Sequence, residues 1–161
     1  MAHPSRRLGV EVRFNTLADA DDVVALAPDV VIVATGGLPQ KPPFDGDDLA
    51  VTTWDVLSGD VKIADDVLLY DDNGGHPGMQ AAEAIADHGS RLEIVSPERY
   101  FAPEMGGLNH VSYAEIFHRT GVKITINSRV LAVRRQGNKL AAVVGSDYGP
   151  RTETRLVDQV V

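Results

Sequence analysis

The segment Asp66 to Pro97, DVLLYDDNGGHPGMQAAEAIADHGSRLEIVSP, reads as strand, glycine-bearing turn, helix and second strand, in the order a dinucleotide-binding unit requires. Val67 to Tyr70 is a short apolar run without helical spacing, which predicts a buried strand. Asn73 to Gly78 then supplies glycines where a tight turn must let phosphate approach the backbone. From Met79 the pattern becomes helical, with Met79, Ala82, Ile85 and Ala86 on one face and Gly89 at the stop, and Leu92 to Val95 predicts the second strand.

The full fingerprint is G-x-G-x-x-G, and the helix register puts its glycine positions at Asn73, Gly75 and Gly78. Asn replaces the first glycine. It is the other residue that most readily takes a positive φ, so the turn is expected to survive the exchange. Gly74, Gly75 and Gly78 would admit a pyrophosphate at the helix amino terminus, where free N–H groups and the helix dipole favour negative charge. Pro77 suits the first turn of the helix. The same residues also fit a plain βαβ unit whose glycines only make the turn.

Cofactor choice is read at the end of the second strand, where an acidic residue would hold the ribose hydroxyls of NAD and a nearby Arg suits the phosphate of NADP. Ser96 occupies that position, with Glu98 two residues on and Arg99 directly after. Ser96 removes the usual repulsion of phosphate, which favours NADP. The alternative is that Glu98 and Arg99 are a solvated loop pair worth less than about 1 kcal/mol.

With 161 residues, 43% of them hydrophobic, the chain can bury a core. A net charge of -8, with the acids dispersed, argues against a nucleic-acid or anionic-membrane surface. No apolar run approaches a membrane span, and Met1 to Val10 lacks the apolar centre of a signal peptide, so the expected compartment is the cytoplasm. The lack of cysteine excludes disulfides, Cys-ligated zinc and Cys-ligated iron–sulfur sites within this chain. His76, His88, His110 and His118 are scattered without the i, i+4 spacing of a helical metal site, and no metal is expected. Asp71 and Asp72 could resemble the acidic magnesium pocket of a phosphate-receiving domain, but the glycines that follow favour a role capping the turn or bonding a ribose hydroxyl. Tyr113 and Phe117 have the helical spacing of core residues, which weakens any reading of them with Trp54, Tyr100 and Phe101 as an aromatic cofactor box.

Elsewhere, Gly9 to Phe14 alternates as a strand, Asp19 to Ala27 predicts a short helix, and Asp29 to Ala34 a buried strand running into Thr35-Gly36-Gly37. Leu38 to Asp48 reads as a loop or hinge, Thr53 to Leu57 as a short helix, and a boundary is expected near Gly59. Pro97 to Gly107 is a long loop, Asn109 to Thr120 a helix and Val122 to Ile126 a third parallel strand. Ser128 to Val133, Leu140 to Val144 and Thr154 to Leu156 predict an antiparallel meander with Gly137-Asn138 as one turn.

The runs DVVIVATGG (Asp29 to Gly37), LLYDDNGGHPGMQAAEAIADHG (Leu68 to Gly89), LEIVSPERYFAPEMGGLNH (Leu92 to His110) and the closing VDQVV together resemble the carboxyl-terminal region of multidomain NADH:flavin oxidoreductases similar to trimethylamine dehydrogenase and dienoyl-CoA reductase. The resemblance implies an α/β fold. Residues 60–156 would be a Rossmann-like, three-layer NAD(P)-type domain carrying the meander, inserted into an FAD-type domain represented by residues 1–59 and a return strand at 157–161. It also implies a parent protein with FMN, FAD and an iron–sulfur cluster, and a nicotinamide nucleotide held within this chain. Thr35, Gly36 and Gly37 match the family's motif near the flavin, although for this chain by itself a strand end followed by a turn is the better explanation. The expected function is the nucleotide-binding part of such an oxidoreductase, serving transfer between a nicotinamide and a flavin. No catalytic residue is expected here, and the chain alone is expected to be inactive. The alternative is a scaffold domain that has lost nucleotide binding, as the absent first glycine would suit. The expected partners are the nucleotide and the rest of the parent, with a homodimer through exposed strand edges as a further expectation.

Overall fold

A computed structural model of the chain describes residues 8–161. Within the expectation for Met1 to Val10, the first seven residues lie outside that range. The chain divides into two compact units, Met1–Gly37 and Leu38–Val161.

In the first unit, α1 (Ala20–Ala25) forms where expected. Asp19 and Asp22 cap it reciprocally: the Asp22 N–H donates to Asp19 Oδ1 at 2.9 Å, and the Asp19 N–H to Asp22 Oδ2 at 3.3 Å. Such a box satisfies two of the amino-terminal donors that a helix leaves open. The two strands expected in this unit are absent: Gly9 to Phe14 and Asp29 to Ala34 are irregular. Val30 and Ile32, expected to be buried, are 77% and 87% exposed. A strand exists only through a neighbour that takes its N–H and C=O groups, and among the described residues none pairs with either segment. The apolar character of Val30 to Val33 is therefore not enough to bury them.

The second unit opens with a 3-10 turn (Asp47–Leu49) and α2 (Thr53–Ser58), which Thr52 and Asp55 cap as a reciprocal box and Gly59 ends in the left-handed region at φ 79°. There follow β1 (Asp66–Tyr70), α3 (His76–Asp87), β2 (Arg91–Val95), α4 (Gly107–Thr120) and β3 (Lys123–Thr125). The chain ends with β4 (Arg129–Gln136), β5 (Lys139–Ser146), β6 (Gly149–Val157) and β7 (Gln159–Val160). One sheet is parallel, in the order β3-β2-β1-β7, and the other antiparallel, in the order β4-β5-β6.

The alternation of side chains along β1 sets the layers. Val67 and Leu69 face one cluster with Met79, Ala82 and Ile85 of α3, Phe117 of α4, and Leu92 and Ile94 of β2. Leu68 faces the opposite side, where Val95 meets Val133, Leu140, Ala142 and Val144 of the antiparallel sheet. Helices thus cover one face of the parallel sheet and the antiparallel sheet covers the other. The expected helical face is confirmed, since Met79, Ala82 and Ile85 are fully buried. The third parallel strand, the antiparallel strands and the Gly137-Asn138 turn also lie where the sequence puts them.

Asp45 adds a rung to β4: its N–H donates to the Leu131 carbonyl at 3.3 Å, and its carbonyl accepts from Val133 at 2.7 Å. Leu38 to Asp48, expected as a loop, therefore delivers Phe44 to the second cluster, and Leu49 and Ala50, just beyond it, pack there as well. The closing VDQVV supplies β7, fixed to β1 by Val161 N–H to Leu68 O at 2.9 Å and Tyr70 N–H to Val161 O at 2.8 Å. α2 packs on α3 within this same unit. Among the described residues no helix is long and apolar enough to cross a membrane.

Candidate functional site at the β1–α3 turn

Beyond Tyr70 the chain leaves the sheet through Asp71, whose N–H is still held by the Val95 carbonyl at 2.9 Å. Asp71 is buried, with 4% of its surface exposed. Its Oδ1 accepts the Gly74 N–H at 2.9 Å, so the carboxylate caps the turn, one of the two roles the sequence offered it. Its Oδ2 is buried with no hydrogen-bond partner among the described residues. Burial is the largest influence on this group and pushes its carboxyl above the usual range, against the pull of the Gly74 and Asn73 N–H groups. Asp72 and Glu98 push in the same direction as burial.

The left-handed residue of the turn is Gly74, at φ 69°, and Asn73 is not among the residues with positive φ. This corrects the expectation that Asn73 substitutes for a glycine conformation. Gly74 is also hemmed in: a Cβ there would lie 2.3 Å from Pro103 Cδ. Its carbonyl accepts the Glu104 N–H at 3.1 Å, which stitches the turn to the loop before α4.

Gly75 is the N-cap of α3 and makes no side-chain cap bond, with Pro77 in the first turn as expected. Gly78 packs against the carboxylate beneath it, where a Cβ would lie 2.8 Å from Asp71 Oδ1. In this structure the third glycine of the motif makes room for Asp71.

Ser96 is fully buried at the end of β2, and its hydroxyl accepts the Glu98 N–H at 3.3 Å. Its backbone is used as well, by the Thr125 carbonyl at 2.9 Å and the Ser128 N–H at 3.0 Å. Arg99 is exposed and makes no ion pair among the described residues. Thr35, Gly36 and Gly37 belong to the first unit, exposed on irregular backbone, with Gly36 at φ 73°. Asn73, Gly74, Gly75, Gly78 and Ser96 thus gather around the ends of β1 and β2, with Arg99 on the loop that follows.

Sequence reasoning missed Ala102, Pro103 and Glu104. Ala102 is buried at φ 53°, a conformation no local pattern announces, and it turns Pro103 onto Gly74. The aromatic reading resolves as core for Phe117, which is 1% exposed, and for Tyr113, which packs against the same cluster. Phe101 stacks on His110 at 4.2 Å, and the His110 ring nitrogen lies 3.1 Å from the Phe101 carbonyl. A hollow lined by Lys62, Ile63, Ala64, Asp65 and Asp158 lies at the opposite end of β1 from the turn.

No family model matches the sequence. A probable N-methylproline demethylase of Rhizobium meliloti is 47% identical over 156 residues, covering 96% of this chain and 23% of that protein. An NADH oxidase of Thermoanaerobacter brockii is 32% identical over 145 residues, covering 88% of this chain and 22% of that protein. Among solved structures, a 2-naphthoyl-CoA reductase in complex with 2-naphthoyl-CoA superposes with a TM-score of 0.79 at 26% identity, covering 97% of this chain and 23% of that one. The fold and these matches define an α/β unit of the flavin-dependent oxidoreductases. The chain is a homologue of the carboxyl-terminal part of NADH:flavin oxidoreductases, and it spans just under a quarter of the length of the relatives it matches.

Proposed function

We propose that this chain is the nicotinamide-nucleotide-binding part of a multidomain NADH:flavin oxidoreductase, with the pyrophosphate at the β1–α3 turn. The observation that carries the reading is the open amino terminus of α3. Gly75 offers no side chain to cap it, so first-turn N–H groups are left for an anion. Gly75 and the first turn of α3 would supply the backbone N–H groups, Asn73 and Gly74, whose own N–H groups turn to Asp71, would shape the turn around them, and Arg99 would meet the ribose end. A bound nicotinamide supplies hydride to a flavin, while this chain's share is to bind and orient the nucleotide. Residues 60–156 are proposed as a Rossmann-like NAD(P)-type domain. Residues 1–59 are proposed as part of an FAD-type domain, with 157–161 as its return strand. FAD, FMN and the iron–sulfur cluster are assigned to the rest of the parent, and the exposed run Val30 to Val33 to pairing with that remainder or with a second copy.

Ser96 is spoken for by its own backbone neighbours, which leaves Arg99 as the residue that distinguishes the cofactors. Calorimetric titration of the chain with NADH and NADPH is expected to give the tighter binding with NADPH. Arg99→Ala is expected to weaken NADPH by about tenfold, the loss of one charge-assisted contact of about 1.5 kcal/mol, and to spare NADH. Preference for NADH, or NADPH affinity unmoved by the substitution, would reject the assignment. Gly75→Val is expected to abolish binding of both, since it places a branched side chain over the amides.

The second reading, a scaffold that binds no nucleotide, is favoured by the Asp71 carboxylate lying against the first turn of α3. Absence of binding by either cofactor at millimolar concentration, in the folded unmutated chain, would establish it over the first.

A further inference from the structure

The β1–α3 turn carries two features that oppose each other electrostatically. The amino terminus of α3, a helix of 12 residues, is open and favours an anion. Directly beneath it, against Gly78, lies the buried carboxyl of Asp71 with Oδ2 unpartnered. A buried carboxylate oxygen without a donor is costly, because protein replaces water and nothing replaces the lost hydrogen bonds. A phosphate arriving at the same helix end would add a second anion to that environment, so both could be charged only at a further cost.

The other charged groups around Asp71 sharpen the conflict. Asp72 in the turn and Glu98 in the loop after β2 are both carboxylates acting on it. From α3 the contact is Gly78, and the titratable residue of that helix nearest the turn is His76, exposed at its first position. Glu104, whose N–H holds the Gly74 carbonyl, adds another acid to the adjoining loop. Proton uptake by Asp71 removes the one buried charge in this set.

We propose that the turn accepts a nucleotide pyrophosphate when Asp71 is protonated, so that nucleotide binding by this chain takes up one proton from solvent onto Asp71 Oδ2. The proposal rests on the nucleotide-binding reading and deepens it. Asp71 becomes the residue that sets the affinity of the turn for phosphate-bearing ligands, and Gly78 the residue that allows its carboxyl to sit there. Burial already shifts Asp71 toward the neutral form, in the direction the proposal needs.

The test is calorimetry of the 161-residue chain with NADPH between pH 5 and 8, in paired buffers of different ionisation enthalpy. The expected result is net proton uptake on binding and an affinity that falls as pH rises, by at most about tenfold per pH unit, the limit for one linked proton. Asp71→Asn is expected to bind about tenfold or more tightly than the unmutated chain at pH 8 and to lose that part of the pH dependence. His76→Gln is expected to retain it, which separates the buried carboxyl from the nearby imidazole. Binding without proton uptake, or an uptake unchanged in Asp71→Asn, overturns the proposal and leaves the nucleotide-binding reading standing. Absence of binding in both the unmutated chain and Asp71→Asn, each shown folded by circular dichroism, overturns both. Should Asp71→Asn fail to fold, proton uptake by the unmutated chain decides the matter alone, with its absence counting against the proposal.

Discussion

Gly74→Ala is expected to lower the unfolding free energy by about 3 kcal/mol, while Gly75→Ala, one residue along, costs no more than about 1 kcal/mol. The difference follows from what each new methyl group would meet. At Gly74 the backbone has φ 69°, where a Cβ costs about 1–2 kcal/mol, and the methyl would lie 2.3 Å from the Pro103 ring. Pro103 cannot swing away, because its loop is pinned to the turn through Glu104 N–H and the Gly74 carbonyl. Overpacking of this kind adds about 1–3 kcal/mol. At Gly75 the backbone is extended, at φ -109°, and the nearest atom is Asn73 Oδ1 at 2.6 Å, the end of an exposed side chain that can rotate. Urea denaturation of both variants decides the point. Equal losses would show that the turn is not fixed by Pro103, and a changed slope in Gly74→Ala would show that more than the turn has been disturbed.

Much of the second unit was legible because its signals are local. Val67 to Tyr70 is apolar at a length suited to a buried strand, and Met79, Ala82 and Ile85 repeat at helical spacing, so both elements and the buried helix face follow from periodicity. Gly137-Asn138 between two alternating segments fixes the first hairpin of the antiparallel sheet. The failures arise where a segment's fate depends on distant chain. Val30 to Val33 has strand composition but no partner among the described residues, and without a partner its side chains stay exposed. At the turn, the sequence places consecutive glycines after an Asn, and several positions could accept the left-handed conformation. Gly74 takes it because Pro103, some thirty residues on, closes over that position, which no local pattern records. The same limit hid the burial of Asp71: its capping role was readable from type and place, whereas its orphaned Oδ2 depends on how Gly78 of α3 seats against it.

Glu93 lies beyond local reading for the same reason, and its removal is expected to be costly. It sits mid-strand in β2, between Leu92 and Ile94, so alternation turns it toward the face covered by the antiparallel sheet. There its carboxylate accepts the Thr125 hydroxyl at 2.7 Å and Arg155 Nε at 3.0 Å, and pairs with Lys123 Nζ at 3.0 Å, tying β2 to β3 and β6. Burial is the largest single influence and raises its pKa, but the hydrogen bonds from Thr125, Lys123 and Arg155, with the Arg155 charge, together bring it below the usual carboxylate range. Exposed pairs contribute at most about 1 kcal/mol and fully buried ones lose about 3–5 kcal/mol when one partner is removed, so a largely buried carboxylate facing partly exposed cations falls between. Glu93→Ala is expected to cost about 2–3 kcal/mol. Glu93→Gln is expected to cost less, because the amide can still accept from Thr125 and Arg155 keeps its second partner, Glu153, at 2.9 Å. The pH dependence has a definite sign. A carboxylate whose folded pKa lies below its unfolded value, about 4.3, stabilises fully above that value, and the contribution disappears as pH falls through the folded one. The stability gap between the unmutated chain and Glu93→Gln is therefore expected to be widest near neutrality and to narrow below about pH 4. A gap that stays constant from pH 7 to pH 3 would mean that Glu93 contributes through packing alone, with its charge irrelevant to the union of β2, β3 and β6.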